Sequence, residues 1–270
     1  MLRKRSLKPY SIMPRLNVVK VGGAVIEEEA KLLTFLKDFA ALKGPKILVH
    51  GGGKKASLWA EKMGIPVQMK DGRRITDAAT LELISGIYAG QVNKTIVAHL
   101  QSFGCNALGL SGADGNAIRA EQRPVKAIDY GFVGDVTAVN ANLYEQLLAQ
   151  SLVPVCCALT HDGNGQLLNT NADTIAAEIG KALAKQYTTK ISYCFELPGV
   201  MEDIHDADSL IEKINLESYQ NLLLNNTISA GMLPKLHNAF DALQAGVAEV
   251  AIGATKMINE NIPYTSITLK

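Results

Sequence analysis

The stretch Asn17–Gly23, NVVKVGG, decides the fold. With Leu16 before it, the stretch sets Val18, Val19 and Val21 in an apolar run that only Lys20 interrupts before two glycines stop it. Runs of this kind are strands covered on both faces, as in a parallel sheet. Gly22-Gly23 allows a tight turn and leaves N–H groups with no Cβ in front of them, which suits an anion. Lys20 adds a positive charge at the same end. Working outward, the device recurs: Ile47-Leu48-Val49 runs into His50-Gly51-Gly52-Gly53-Lys54. Ligands of open α/β sheets sit beyond the carboxyl ends of the strands, so two lysine-bearing glycine loops predict a phosphate or carboxylate site.

Between the two loops, Glu28–Leu42 places Leu32, Leu33, Leu36, Phe39 and Ala40 on one helical face, closed by Gly44-Pro45. The unit is βαβ and should cross over right-handed. A helix over Lys54–Met63 follows, then Val67–Thr76, where Asp71-Gly72 signals a hairpin carrying Lys70, Arg73 and Arg74. That charge is either solvated or turned towards the glycine loops. Thr76 or Asp77 caps a helix reaching towards Phe103, with Leu81, Ile84, Ile87, Tyr88, Val92 and Ile96 on its apolar side. At on the order of 40 Å it is longer than a small domain needs, and Gly86 and Gly90 permit close approach. It serves either as a core helix or as a subunit contact.

Cys105–Val139 reads as a hairpin-rich insert, Asn142–Gln150 as a helix and Val153–Leu159 as a buried strand. After a turn at His161–Gly165, Asn169, Asn171 and Asp173 alternate on an extended entry to a helix, so their side chains are expected to share one direction. Capping is the competing role for Asn171 or Asp173. Beyond Lys185 come a strand at Lys190–Cys194, a turn at Pro198-Gly199, a helical region over Leu210–Leu223, a helix after Gly231–Leu236 and a strand at Glu249–Ile252. A domain boundary is expected near Lys185, dividing the chain into a basic flexible tail over 1–15 and domains over 16–185 and 186–270.

Composition sets the outer bounds. The chain has 270 residues, 47% of them hydrophobic but only 6% aromatic, which supports a full aliphatic core. A formal net charge of +1 gives no reason to expect nucleic acid or a membrane surface as partner. Cys105, Cys156, Cys157 and Cys194 lack metal-ligand spacing and read as reduced core thiols of a cytoplasmic protein. No apolar run approaches the ~18 residues of a spanning helix. The N-terminus lacks the apolar centre of a signal peptide, and Met13 offers an alternative start.

Lys20 and Lys235 are the lysines set among apolar or glycine residues. In-line phosphoryl transfer needs positive charge around the moving group and backbone donors on its oxygens. Two lysines, glycine loops and one carboxylate to orient the lysines meet that need, and Asp173 is the carboxylate. The chain has no Walker A pattern, GxGxxG fingerprint or protein-kinase set.

KVGG (Lys20–Gly23), HGGG (His50–Gly53), GRRIT (Gly72–Thr76), GFVGDV (Gly131–Val136), NTNAD (Asn169–Asp173) and GMLPKL (Gly231–Leu236) stand in an order that resembles the N-acetylglutamate kinases of the amino-acid kinase family. The likeness covers about Leu16 to Ile252. It implies a three-layer αβα sandwich with a mainly parallel open sheet, using ATP and Mg2+ to phosphorylate the γ-carboxylate of an N-acylated glutamate in arginine biosynthesis. The ion would be held mainly by the nucleotide, with no metal ligands from the protein. Lys20 and Lys235 would stabilise the transferring phosphoryl group and Asp173 would orient them. Gly22, Gly23, Gly52 and Gly53 would donate N–H groups, Gly52 and Gly53 to the acceptor, while Arg74 and Asn169 would hold the substrate α-carboxylate. Gly199 and Gly231 would join Gly22 and Gly23 on the nucleotide side. The helix over 77–102 would pair two subunits, and the hairpin would close as a lid.

Three departures fall in the nucleotide half: Phe195-Glu196 where relatives carry Ser-Asp, Ala230 before Gly231, and a divergent C-terminus. They motivate an alternative, a binding or regulatory protein of this fold without turnover; an amino-acid kinase with another acid acceptor is a third reading. Arg73 precedes Arg74 where relatives place an apolar residue. Neighbours on a hairpin strand point to opposite faces, which would send Arg73 to solvent. Turned inward, its guanidinium would match a carboxylate on the acyl arm, so that N-succinylglutamate is accepted at least as well as N-acetylglutamate.

Overall fold

In the computed structural model, residues 13–70, 73–206, 208–224 and 232–270 are described. One sheet holds β1 (Arg15–Val21), β2 (Lys46–His50), β3 (Ala107–Leu110), β4 (Val153–Cys157), β5 (Thr188–Phe195), β6 (Lys213–Ile214), β7 (Glu249–Ala254) and β8 (Thr265–Ile267). Their order across the sheet is β6-β8-β7-β5-β1-β2-β4-β3, and every pairing but β7 with β8 is parallel. β1 lies inside the sheet because both its faces are apolar: Val18 packs with Ile47, Val49 and Ile191 on one side, and Val19 and Val21 pack with Leu48 on the other.

Helices cover both faces. On the Val19 side are α1 (Gly23–Glu27), α2 (Glu29–Ala41), α3 (Gly53–Lys62), α4 (Ala78–Ser85) and α5 (Asn93–Ser102). The Val18 side carries α6 (Ala141–Ala149), α7 (Ala172–Leu183), α8 (Leu216–Leu224) and α9 (Leu233–Gln244). The fold is therefore the three-layer αβα sandwich with a mainly parallel open sheet that the motifs implied. All four cysteines are buried and unpaired. Among the described residues no helix is long and apolar enough to cross a membrane.

The helix after Asp77 has an unexpected centre. Asp77 caps α4 by accepting from the Thr80 N–H at 2.8 Å. Between α4 and α5, Gly86–Val92 is a π-helix, and the Asn93 N–H reaches back five residues to the Tyr88 carbonyl. The expected apolar face, Leu81, Ile84, Ile87, Tyr88, Val92 and Ile96, is buried. A Cβ placed on Gly86 or Gly90 would meet nothing within 4 Å.

Several local expectations are corrected. Ala107–Leu110, expected within an insert, is the edge strand β3 of the main sheet. The rest of that region contributes Ile118–Gln122 and Gly134–Val139 to a separate four-stranded sheet with Leu159–His161 and Leu167–Asn169. The run Val153–Leu159 thus splits between two sheets. Leu210–Ile214, expected as helix, forms two short strands, Leu210–Ile211 against Val200–Met201 and β6 against β8. In α2, Phe35 is buried, while Leu33 and Ala40 are only partly so. The chain also places β8 where no strand was expected.

The boundary expected near Lys185 falls just before β5, which pairs with β1 from Arg15 to Val21, so one sheet runs through both halves. The tail expected over 1–15 lies outside the described residues as far as residue 12, and Arg15 already opens β1.

Candidate active site

Lys20 stands one residue from the end of β1, and Asp173 in the first turn of α7. Asn171 caps that helix, its side-chain oxygen accepting from the N–H groups of Asp173 at 2.7 Å and Thr174 at 3.2 Å. The three polar side chains therefore do not share one direction, because the helix has begun before Asp173. With capping assigned to Asn171, the Asp173 carboxylate points over the end of β1. There one oxygen lies 2.9 Å from Lys20 Nζ and the other 2.9 Å from Lys235 Nζ, which comes from the first turn of α9. The Tyr193 hydroxyl donates to the Asp173 backbone carbonyl at 3.2 Å and fixes α7 against β5. Burial alone would raise the Asp173 pKa; the charges and hydrogen bonds of the two lysines outweigh it and hold the carboxyl at about 2. Two lysines on one carboxylate leave a surplus positive charge at the strand ends, which suits an anionic ligand.

A cavity of about 370 Å³ adjoins this node, with Ala172 and Thr174 in its wall. Arg74 is 8% exposed, and its Nη2 donates to the Gly53 carbonyl and to Ser57 Oγ, both at 2.7 Å. Its Nη1 is buried with no partner among the described residues. A buried guanidinium N–H without an acceptor is costly, and a ligand carboxylate in the cavity would supply one. Asn169 also lines the cavity and donates to Thr76 Oγ1 at 3.0 Å, which ties the hairpin to the entry of α7. Arg74 is buried and Arg73 exposed, as strand alternation requires, yet Arg73 lines the same cavity at its rim. Arg123 lines it too; it is paired with Asp135, and its Nη1 is likewise buried without a partner among the described residues.

The two glycine loops differ in construction. Gly22 has φ −73°, donates its N–H to the Cys194 carbonyl at 2.8 Å, and leads to Gly23, where a Cβ would meet nothing within 4 Å. Gly52 has φ +155°, a conformation L side chains rarely adopt, and a Cβ there would stand 3.0 Å from the Tyr88 ring. Gly53 opens α3 beside the Tyr88 hydroxyl and Arg74. Lys54 is exposed and paired with Glu27 at 3.5 Å.

The structure thus brings Lys20, Asp173 and Lys235 together, and sets Gly53, Arg74 and Asn169 round the adjoining cavity. Gly22 and Gly23 stand at the end of β1. Gly199 lies where β8 and Leu210 leave no room for a Cβ, so close packing already requires a glycine there. Gly231, Gly72 and Ala230 lie outside the described residues. Ser57 and Arg123 went unmarked as parts of the site, Thr76 stood out only within GRRIT and as a helix cap, and Tyr88 looked like core. His50 was marked by its place between the apolar run Ile47–Val49 and three glycines, whereas Asn93, between Gln91-Val92 and Lys94-Thr95, carried no such mark.

The amino acid kinase family model matches residues 15–254. The chain belongs to the amino acid kinase family. An acetylglutamate kinase of Bacteroides thetaiotaomicron is 52% identical over 247 residues, covering 92% of this chain and 96% of that protein. The crystal structure of smu.665 from Streptococcus mutans UA159 matches with a TM-score of 0.78 at 27% identity, over 94% of this chain and 99% of that one. The carbamate kinase of Giardia lamblia, solved with AMP-PNP, matches with a TM-score of 0.66 at 12% identity, over 96% and 99%. That last likeness concerns the amino acid kinase fold alone.

Proposed function

We propose that this chain transfers the γ-phosphoryl group of ATP to the side-chain carboxylate of an N-acylated glutamate, N-acetylglutamate, as a step of arginine biosynthesis. The observation that carries this reading is the buried Asp173 carboxylate held 2.9 Å from both Lys20 and Lys235 beside a cavity with a spare arginine N–H. The acetylglutamate kinases that resemble the chain over most of its length support the choice of acceptor.

A carboxylate acceptor is already ionised at neutral pH, so the transfer needs charge and alignment rather than a general base. Asp173 fits that requirement, since its two oxygens face lysines and its pKa of about 2 keeps it ionised. Lys20 and Lys235 then meet the equatorial oxygens of the phosphoryl group in flight. Arg74 and Asn169 hold the α-carboxylate of the acceptor. Gly52 and Gly53 supply N–H donors to the acceptor side, and Gly22 and Gly23 to the phosphates. The surplus positive charge of the node and the open space at Gly23 fit a triphosphate. Gly199 and Gly231 are assigned to the nucleotide side. Mg2+, held mainly by the nucleotide, would neutralise β- and γ-phosphate oxygens.

The halves on either side of Lys185 would divide the labour, acceptor before and nucleotide after. Two subunits would meet through the helix over 77–102, where Gly86 and Gly90 stand open. The enzyme would work in the cytoplasm.

A coupled ADP-release assay with N-acetylglutamate, run beside calorimetric titration with ATP, tests the reading. ATP binding without turnover on any acylglutamate would leave a binding protein of the same fold. Arg73 at the cavity rim and Arg123 Nη1, buried without a partner among the described residues, favour a second reading for the acyl arm, in which its far end carries a carboxylate as in N-succinylglutamate. Comparing kcat/KM for the two acceptors on wild type and Arg73→Leu decides it: strong acetyl preference in the wild type ends this second reading.

A further inference from the structure

His50 is fully buried at the end of β2; it does not itself line the cavity, but its neighbour Gly51 does. Its two ring nitrogens have defined partners. Asn93 places its side-chain nitrogen 2.9 Å from the Val155 carbonyl, and a carbonyl can only accept, so that atom is the amide NH2. The same nitrogen lies 3.0 Å from His50 Nε2, which must then accept the second hydrogen. Lys94 Nζ, 3.2 Å from the Asn93 oxygen, agrees with that orientation. With Nε2 bare, the single ring proton sits on Nδ1, and Nδ1 donates to the Gly51 carbonyl at 2.8 Å. Burial holds the His50 pKa at about 4, so the ring is neutral at physiological pH and the chain of donors is complete.

The Gly51 carbonyl belongs to the peptide whose other end is the Gly52 N–H. A trans peptide points its C=O and N–H in opposite directions. Drawing the carbonyl back towards His50 therefore turns the Gly52 N–H outward, past the end of β2. That N–H has no acceptor among the described residues. The π-helix completes the arrangement. Because the Asn93 N–H bonds back to the Tyr88 carbonyl, residues five apart come onto one side of the helix. Tyr88 then covers Gly52 while Asn93 reaches His50.

We propose that His50 and Asn93 are positioning residues for the transfer: Asn93 sets the tautomer of His50, which fixes the Gly51–Gly52 peptide and aims the Gly52 N–H into the site. This rests on the assignment of Gly52 as a donor to the acceptor side. Asn93→Asp keeps the size of the side chain but replaces its donor with an acceptor. At a pH high enough to keep the ring singly protonated beside the new carboxylate, its proton would move to Nε2, and Nδ1 would face the Gly51 carbonyl lone pair to lone pair.

The test has a spectroscopic and a kinetic arm. Long-range 1H–15N NMR of 15N-histidine-labelled protein should find His50 protonated on Nδ1 in the wild type and on Nε2 in Asn93→Asp. Turnover of Asn93→Asp should fall by roughly 10²-fold, the scale of losing one aligned donor, with KM for ATP unchanged. His50→Asn can place an amide NH2 where Nδ1 stands and should retain more turnover than His50→Leu. An Nε2 proton in the wild type overturns the proposal, as does a folded Asn93→Asp with wild-type kcat. If Asn93→Asp fails to fold, the wild-type tautomer and the His50→Asn and His50→Leu pair decide. A wild type that phosphorylates no acylglutamate while His50 keeps its proton on Nδ1 would overturn the functional reading and the positioning role with it, leaving the tautomer as structure alone.

Discussion

Gly22 and Gly52 each follow an inner parallel strand, one at φ −73° with its N–H donated to Cys194, the other at φ +155° beneath the Tyr88 ring. Their lysines differ as much. Lys20 is largely buried against Asp173, whereas Lys54 is exposed, pairs with Glu27 and borders the cavity with its long side chain. As text the two loops are near-copies; as structures they use glycine for different reasons. In the first, a Cβ on Gly22 would crowd the Cys194 carbonyl while Gly23 faces open space; the second needs a backbone conformation that a side chain would forbid. Repetition in sequence marked the place of the site without marking the division of roles inside it.

The sharpest way to break this comparison is to exchange the fates of the lysines. Lys20→Ala, and Lys235→Ala with it, should lower kcat by about 10²–10³-fold with folding intact, because the lost charge is felt mainly in the transition state. Lys54→Ala should change kcat by less than about threefold, as expected of an exposed pair. Steady-state kinetics on the three variants decides, and a raised KM with unchanged kcat for Lys235→Ala would reduce it to a ground-state contact.

The second loop should carry its own acid signature. His50 takes up a proton near pH 6.5 when unfolded but only at about 4 when folded, so the unfolded state binds more protons in between. Stability is then full above pH 6.5 and falls towards pH 4 by about 3 kcal/mol, a loss that His50→Asn should remove. Denaturant titrations across this range measure it, and identical slopes in the two proteins would count against the assignment.

Asp173→Asn tests the first loop from the other side. It should cut kcat by about 10²-fold, because the lysines lose the charge that orients them. A plain helix cap would instead cost about 1 kcal/mol of stability and little activity, but Asn171 already holds that position. Full activity with a lowered melting temperature would restore the capping role to Asp173.

The smallest expected effect separates the glycines. Gly52→Ala should cost about 1–3 kcal/mol from its forbidden φ. Gly23→Ala should leave stability within about 0.5 kcal/mol, since its Cβ would enter open space, and should act on activity alone. Equal melting temperatures for the two variants would falsify the distinction.

Much of the frame was legible. β1, β2, β4 and β7 are apolar runs ended by turn residues or glycine, and burial on both faces leaves such runs few other fates. The Lys20, Asp173 and Lys235 constellation was legible because charged residues in apolar or glycine-rich settings are rare without a task. Leu210, Ile211 and Ile214 misled because their spacing suits a helix as well as short strands; their partners at Val200–Met201 and β8 lie far away in sequence, and local periodicity does not see them. Asn171 misled for a different reason: three polar residues at every second position look equivalent until the helix start assigns the middle one to capping. The π-helix was hidden because an apolar stripe through Leu81, Ile84, Tyr88 and Val92 satisfies ordinary helical spacing equally well.

That π-helix makes the length of the chain between Asp77 and Phe103 a constrained quantity. An ordinary helix advances about 100° per residue, so deleting one residue among 86–92 would restore regular bonding yet swing everything after it by that angle. Asn93 would leave His50, and the apolar side of α5 would turn from the sheet. Replacements are open at exposed positions of this helix, but single-residue deletions are not; relatives that differ here should do so by substitution, keeping the count of residues fixed.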